Sequence, residues 1–223
     1  KLSLKGIRID EHNVSAYYGV IDYTLKNKQF LTPKSLAIRY VYGHNTSDPL
    51  VSSISLTGNY RVNYNKKMDG IELRIFGGYN LFSSDFRYNY FLRGQDGQSD
   101  YLYERTYLGR NKIYPNALAQ QTSTTQGNFH INTPIGSSDS WLISSNIKIE
   151  IPKSPIGVYT DFGIYPSIWN PLSGPENKIN YLFNSGLYFS IKANKKEILG
   201  IYAPLWYSDK IGSSYIFGQT NTT

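Results

Sequence analysis

The residue types that carry most enzyme chemistry occur in this sequence without the spacing that a catalytic or metal site needs. The three histidines, His12, His44 and His130, stand apart in turns or loops without metal-ligand spacing, so we expect them at the surface. The sequence contains no metalloprotease helix motif, nucleophile elbow, phosphate-binding loop or dinucleotide-binding fingerprint. Asp96 and Asp100 resemble part of a calcium loop, but the glutamate that closes an EF-hand is not at its place. We therefore predict no catalytic residue, no metal site and no cofactor.

Charged side chains do recur at alternate positions of several segments, opposite apolar neighbours. They are Arg39, Arg61, Glu72, Arg74, Arg87, Lys148, Glu150 and Asp161. If these segments are membrane-spanning strands, the charges face the lumen of a barrel, because the apolar side chains face lipid. They would then line a selective channel, or form ion pairs that fill a narrow lumen. The interleaving of both signs favours the second interpretation, since buried charges have to be paired.

The segments that carry these charges alternate with a period of two residues, which is typical of β-strands. Between Ile54 and Tyr64 the even positions are apolar, aromatic or glycine and the odd positions are polar, and similar alternation recurs along the chain. The predicted strands are 2–9, 15–26, 35–43, 50–65, 71–82, 86–93, 141–151, 156–165, 179–192, 197–206 and 213–217. We therefore predict an all-β, antiparallel up-and-down fold.

Strand length favours a membrane barrel over a soluble β-sandwich. Several predicted strands are about 10–14 residues long, whereas sandwich strands are usually about 5–6 residues and a tilted membrane strand needs about 9–11. Tyrosine and tryptophan stand near many strand ends, as in the aromatic girdles of such barrels. These are Tyr17, Tyr23, Tyr64, Tyr79, Trp141, Tyr165, Tyr181 and Trp206. We predict one domain over residues 1–223, an outer-membrane β-barrel of about 10–12 strands in contact with lipid and lipopolysaccharide.

The connections between the predicted strands alternate in length, as do the periplasmic turns and outer loops of outer-membrane barrels. The short set is 10–14, 44–49, 83–85, 152–155 and 194–196, and the longer set is 27–34, 66–70, 94–140, 166–178 and 207–212. Residues 94–140 lack sustained periodicity and are predicted to be a long outer loop or cap, with a short strand near 128–132. The outer-loop candidates for contacts are Arg93, Asp96, Asp100, Glu104 and Arg110.

Composition excludes several other classes of protein. The chain has 223 residues, no cysteine and 15% aromatic residues, among them 21 tyrosines. No stretch approaches the roughly 18–20 apolar residues of a spanning helix. The net charge is +7, but the lysines and arginines are spread along the chain rather than clustered, so we predict no nucleic-acid partner.

Several blocks of the sequence resemble one protein family. The blocks 70–78, 86–104 and 107–110 resemble the carboxy-terminal barrel-like region of large Bacteroidetes proteins whose front half is an M1-type zinc aminopeptidase. Further blocks follow in the same order, at 126–129, 133–136, 141–142, 159–163 and 201–205. The resemblance covers most of the chain and implies an outer-membrane domain attached to a peptidase. It transfers no catalytic residue, because the family's zinc-binding helix would lie upstream of Lys1.

A second resemblance concerns the later strands. The blocks 154–158, 161–163 and 203–205 are similar to the last strands of the Omp85 assembly and translocation family. This leaves three functions open. The first is a non-enzymatic outer-membrane anchor or accessory subunit for a peptidase or larger envelope complex, with envelope proteins as partners. The others are a translocation barrel or channel, and a soluble β-sandwich adhesin or sugar-binding module.

The number of predicted strands is odd, whereas single-chain bacterial barrels have an even number. With short turns on the periplasmic side, the strand at 2–9 also begins at the outer surface. We therefore expect at least one more strand upstream of Lys1, which would make the chain a fragment of a longer protein.

Overall fold

The computed structural model describes residues 1–11, 14–46, 48–64, 69–92, 102, 126–131, 135–170, 174–193 and 196–211. Over these residues the chain is all-β, as predicted, with two short 3₁₀ helices at Phe86–Tyr88 and Asp209–Ile211. The strands are β1 (Leu2–Glu11), β2 (Val14–Asn27), β3 (Lys34–His44), β4 (Pro49–Asn63), β5 (Gly70–Ser83), β6 (Tyr90–Phe91), β7 (Ser137–Ser138), β8 (Trp141–Glu150), β9 (Ile156–Asn170), β10 (Gly174–Ala193) and β11 (Lys196–Tyr207).

A nine-stranded antiparallel sheet contains all the long strands, in the order β1-β2-β3-β4-β5-β8-β9-β10-β11. Each strand pairs with the next long strand along the chain, which is the up-and-down order that the alternating pattern predicts. Within the described residues, β1 and β11 are the two edges of this sheet. The predicted strand at 213–217 lies outside the described residues.

The predicted strand at 86–93 is wrong. The Asp85 side chain accepts a hydrogen bond from the Arg87 amide at 3.0 Å and caps a 3₁₀ turn, and only two residues after that turn are extended, as β6. The predicted strand near 128–132 is also wrong over its described residues, which form bends after a turn. Gln126 and Asn128 adopt positive φ angles of 51° and 59°, a conformation that a strand does not allow.

Losing a strand at 86–93 changes which connections share an end of the sheet. The connection 84–140 now joins β5 to β8 and opens at the same end as 12–13 and 45–48, which we call the loop end. The opposite end, with 28–33, 64–69 and 151–155, is called the hairpin end. The predicted alternation of short and long connections is therefore wrong, since 45–48 and 151–155 lie at opposite ends of the sheet.

One face of the sheet, which we call the outer face, is apolar and uncovered from β1 to β11. Its aliphatic and aromatic side chains are those that alternate in the sequence, and Ile75 is 50% exposed and Tyr79 52% exposed. Other exposed members are Leu4, Ile21, Ile38, Ile54, Leu56, Ile71, Ile143, Ile147, Val158, Phe162, Phe183, Leu187 and Ile201. Soluble proteins rarely expose an apolar surface of this extent. An exposed apolar patch larger than a few hundred Å² usually marks a binding surface or a membrane surface.

The opposite face, called the inner face, is covered by the described residues of 84–140, which we call the inner segment. Leu92, Phe129 and Ile131 of this segment are almost fully buried against Leu142 and Leu182 of the sheet. A second cluster joins Tyr88 and Leu102 of the segment to side chains of β2, β3 and β4. The described part of the predicted outer loop therefore includes a buried layer on the inner face.

Glycines on the inner face make room for this segment. A Cβ on Gly78 would lie 2.6 Å from the ring of Tyr90, and a Cβ on Gly163 would lie 2.3 Å from Leu92. The Tyr90 ring cannot easily retreat, because its hydroxyl donates to the Ile54 carbonyl at 3.1 Å. Burial raises the pKa of the Tyr90 phenol to about 12, so it stays protonated as a donor.

We expect Gly78→Ala to destabilise the protein by about 1–3 kcal/mol, because the added methyl group overpacks the contact with Tyr90. Gly77→Ala is the matched control, since Gly77 is the next residue on the same strand and a Cβ there meets nothing within 4 Å. Unfolding by guanidinium chloride in detergent micelles measures both variants. Equal stabilities would show that the inner segment does not pack on Gly78.

Candidate functional site

A row of polar side chains crosses the inner face from β3 to β10, and we call it the polar row. Its members are direct cross-strand neighbours: Ser35, Asn59, Arg74, Asn146, Asp161 and Asn184. Hydrogen bonds join several adjacent members. Asn59 Nδ2 donates to Ser35 Oγ at 3.2 Å, and Arg74 Nη1 donates to Asn146 Oδ1 at 3.0 Å. Because side chains alternate across each strand, only this register brings them to one level of the same face.

Asp161, between Asn146 and Asn184 in the polar row, is completely buried. Its carboxylate accepts from Asn146 Nδ2 at 3.0 Å and from Asn184 Nδ2 at 3.2 Å, on the two flanking strands. It also accepts from the His130 amide at 2.9 Å and lies 3.0 Å from His130 Nδ1. Since His130 belongs to the inner segment, Asp161 joins that segment to three strands of the sheet.

Aromatic rings surround His130 toward the hairpin end. The imidazole stacks on Tyr202 with ring centroids 4.0 Å apart and meets Tyr159 edge-on at 5.3 Å. Lys148 Nζ donates to the Tyr202 hydroxyl and also lies 4.8 Å from the centroid of that ring. The predicted surface position of His130 is therefore wrong, because its side chain is only 2% exposed. His44 is exposed as expected, and His12 lies outside the described residues.

A second charged group, closer to the hairpin end, is centred on Arg61. Its guanidinium bonds Glu72 Oε2 at 3.0 Å and Glu150 Oε2 at 2.5 Å, and Nε donates to Asn63 Oδ1 at 2.7 Å. Glu150 Oε2 also accepts from the Gly70 amide at 2.9 Å. One arginine thus links Glu72 on β5 to Glu150 on β8, and the Gly70 amide holds Glu150 independently.

We expect Arg61→Leu to cost about 2–3 kcal/mol of unfolding free energy. The substitution leaves Glu150, which is 10% exposed, without its cation, and breaking a buried pair costs about 3–5 kcal/mol. The effect is reduced because Glu72 is 40% exposed and is partly solvated. Guanidinium unfolding in detergent measures the change, and Arg61→Leu combined with Glu150→Leu should recover part of it. A change below about 0.5 kcal/mol in the single variant would mean that the pairs contribute nothing.

Three further arginines belong to the predicted lumen set, and two of them lie on the inner face. Arg39 lies on the inner face, 3.5 Å from Asp22. Arg74 also donates to the Gln126 carbonyl and so joins the polar row to the inner segment. Arg87 is the exception, because it lies on the 3₁₀ turn rather than on a long strand, and its Nε is 3.4 Å from Asp85 Oδ2. The outer-loop candidates Arg93, Asp96, Asp100, Glu104 and Arg110 lie outside the described residues.

The contacts on the inner face are structural in character. The ionic side chains described above have charged or polar partners, and the surrounding space is filled by tyrosine rings and aliphatic groups. Within the described ranges, no three His, Asp or Glu side chains are placed to hold a metal ion. Nor does any helix in those ranges have the length and apolar character needed to cross a membrane. Comparisons of the chain with protein-family models, curated proteins and solved structures give no match.

Proposed function

We propose that this chain is a non-enzymatic outer-membrane β-barrel domain that anchors or assists a larger envelope protein, with its interior filled by the inner segment. The observation that carries the proposal is the opposite character of the two sheet faces. The outer face exposes apolar side chains along all nine strands, while seven of the eight charged residues predicted for the lumen stand on the sheet with inner-face contacts. Lipid against the outer face accounts for its exposed apolar side chains, and a packed barrel interior accounts for the paired charges of the inner face.

The height of the apolar band supports this proposal. On β5, outer-face residues run from Ile71 to Leu81, which is about 33 Å of strand at about 3.3 Å per residue. A strand tilted by about 40° would reduce that length to a height of about 25 Å, the usual height of the lipid-facing band.

Aromatic side chains at both edges of the band support the same assignment. Exposed rings stand toward the loop end and toward the hairpin end, with mostly aliphatic side chains between them. The first group is Tyr17, Tyr42, Tyr79 and Trp206, and the second is Tyr23, Tyr60 and Tyr64. Tyr165, predicted to belong to a girdle, is instead buried on the inner face. Arg8 of β1 pairs with Tyr17 of β2, and from this level toward the loop end the outer face of β1 is polar. Arg8 Nε lies 3.1 Å from Asp10 Oδ1 there.

The filled inner face favours an anchor over a channel or translocation barrel. An open lumen requires solvent between opposite walls, whereas Leu92, Phe129 and Ile135 occupy that space beside the sheet. The link to a peptidase rests on the sequence resemblance alone and stays a prediction. A soluble adhesin would have to leave the whole outer face in water, which the hydrophobic effect disfavours.

The experiment is reconstitution of the chain into phosphatidylcholine vesicles. We expect it to float with the vesicles after an alkaline carbonate wash, to keep its β-sheet circular dichroism, and to give no steady conductance in planar bilayers. A chain that stays folded, monomeric and dispersed in detergent-free buffer would exclude the membrane domain. Steady conductance with normal insertion would instead favour the channel.

A further inference from the structure

A pocket of about 440 Å³ lies at the hairpin end, between the 28–33 connection and strands β3 and β4. Three lysines line it: Lys26 at the end of β2, Lys28 in the connection and Lys34 at the start of β3. Asn59, Tyr60 and Arg61 of β4 also line it. Because side chains alternate along a strand, Lys26 and Arg61 stand on the inner face and Lys34 on the outer face, so the pocket gathers four basic side chains at the rim where the two faces meet.

The positive charge of this pocket is not compensated by the protein. Among the lining residues Glu72 is the one carboxylate, and its Oε2 is 3.0 Å from Arg61 Nη1. Across the described chain, the three lysine ammonium groups have neither an ion-pair nor a hydrogen-bond partner. By contrast, Arg39, Arg61 and Lys148 on the inner face each have one.

Hydrogen bonds hold the connection that carries Lys28 and joins the strands of Lys26 and Lys34. Arg61 N donates to the Pro33 carbonyl at 3.0 Å, and Asn63 N donates to the Leu31 carbonyl at 2.8 Å. Asn63 Nδ2 also donates to the Phe30 carbonyl at 2.6 Å. The connection is therefore held against the end of β4, and the fold fixes the backbone positions from which the three lysines extend.

Apolar side chains next to the lysines indicate the kind of ligand. Phe30 is 46% exposed and Leu31 60% exposed within the same connection, and Leu25 and Leu36 begin the apolar band directly beside it. Lysine binds phosphate as a point charge and can extend its ammonium group from an apolar surface to the polar interface. Anionic lipids present phosphate at that level.

We propose that this pocket binds the phosphate headgroup of an anionic lipid, whose acyl chains lie on the outer face at Leu25 and Leu36. The inference rests on the proposed membrane function and adds a ligand class and a site to it. The headgroup supplies the negative charge that the protein does not provide at Lys26, Lys28 and Lys34.

The test uses the full chain in dodecyl maltoside micelles, with bound lipid counted by native mass spectrometry. Phosphatidylglycerol is titrated against the chain and against the variant Lys26→Gln/Lys28→Gln/Lys34→Gln. Phosphatidylcholine with the same acyl chains and glycerol 3-phosphate are the other two probes. Lys5→Gln/Lys153→Gln/Lys178→Gln, at exposed positions outside the pocket lining, is the control that removes the same charge elsewhere.

We expect the pocket variant to bind phosphatidylglycerol about a hundredfold more weakly, at about fivefold for each lysine, and the control variant to bind it normally. Equal loss in both triple variants would mean that overall charge, and not this pocket, attracts the lipid, which would overturn the inference. Glycerol 3-phosphate binding as tightly as the lipid would show a soluble phosphate site instead.

Vesicle flotation separates this inference from the function on which it rests. If both the chain and the pocket variant insert into phosphatidylcholine vesicles but bind phosphatidylglycerol equally, the pocket assignment fails and the membrane domain stands. If neither inserts, the membrane domain fails and the lipid site fails with it.

Discussion

Ile75→Arg should abolish membrane insertion of this chain. Ile75 lies in the middle of β5 on the outer face and is 50% exposed. In a barrel its side chain faces the centre of the bilayer, where an arginine costs about 2–4 kcal/mol, a large share of the total stability of a domain. Vesicle flotation and the resistance of the folded band to unfolding in detergent measure the loss.

Tyr64→Arg is the control for depth. Tyr64 follows β4 at the hairpin end and is 45% exposed, so an arginine there reaches the interface and costs about 0–1 kcal/mol. On a protein whose outer face meets water, both substitutions would stay within about 0.5 kcal/mol of the original chain. Equal tolerance of the two variants would therefore contradict the assignment of the outer face to lipid.

Asp161→Leu should give the largest loss of stability on the inner face, about 3–5 kcal/mol of unfolding free energy. The carboxylate accepts from Asn146, Asn184 and the amide of His130, and all three donors are buried. Removing it leaves these donors without their acceptor in a space closed to water, where each unsatisfied group costs about 1–3 kcal/mol. Guanidinium unfolding in detergent measures the change.

Asp22→Leu is the matched control, because Asp22 lies on the same face but is 28% exposed and 3.5 Å from its arginine. We expect a loss below about 1 kcal/mol there. Hydrogen exchange of the His130 amide adds a local measurement, which should become faster in Asp161→Leu and stay slow in Asp22→Leu. Unchanged protection in both variants would show that Asp161 does not hold the inner segment.

The two faces of the sheet were predictable from the sequence. A period of two residues fixes which side chains of a strand lie together, so the separation of Ile75 from Arg74 needed no knowledge of the neighbouring strands. The predicted strands agree with the long strands within a few residues, except that β9 and β10 extend further toward 171–173. Both extensions contain a proline, Pro166 in β9 and Pro175 in β10. Prolines argue against a strand, yet here the pairing continues past them, with a register shift after Pro175.

The partners of the charged residues depend on register, which the sequence did not determine. Arg61 meets Glu150, which is 89 positions away in the chain, only because β5 pairs with both β4 and β8. A strand at 86–93 would have placed another strand between β5 and β8 and separated these side chains. The local pattern at 86–93 resembles a strand, but the Asp85 cap ends the alternation before a ladder forms.

The position of the inner segment was decided by the tertiary structure alone. Leu92 and His130 fall in short stretches whose local pattern resembles a strand, and that pattern does not place them in a buried layer, because such a layer follows the shape of the surface beneath it. That surface combines small residues such as Gly78 and Gly163 with one buried acceptor, Asp161. The sequence by itself determined that the chain forms long strands with one apolar and one polar face. The structure determined what fills the polar face, because that choice depends on contacts between residues far apart in the chain.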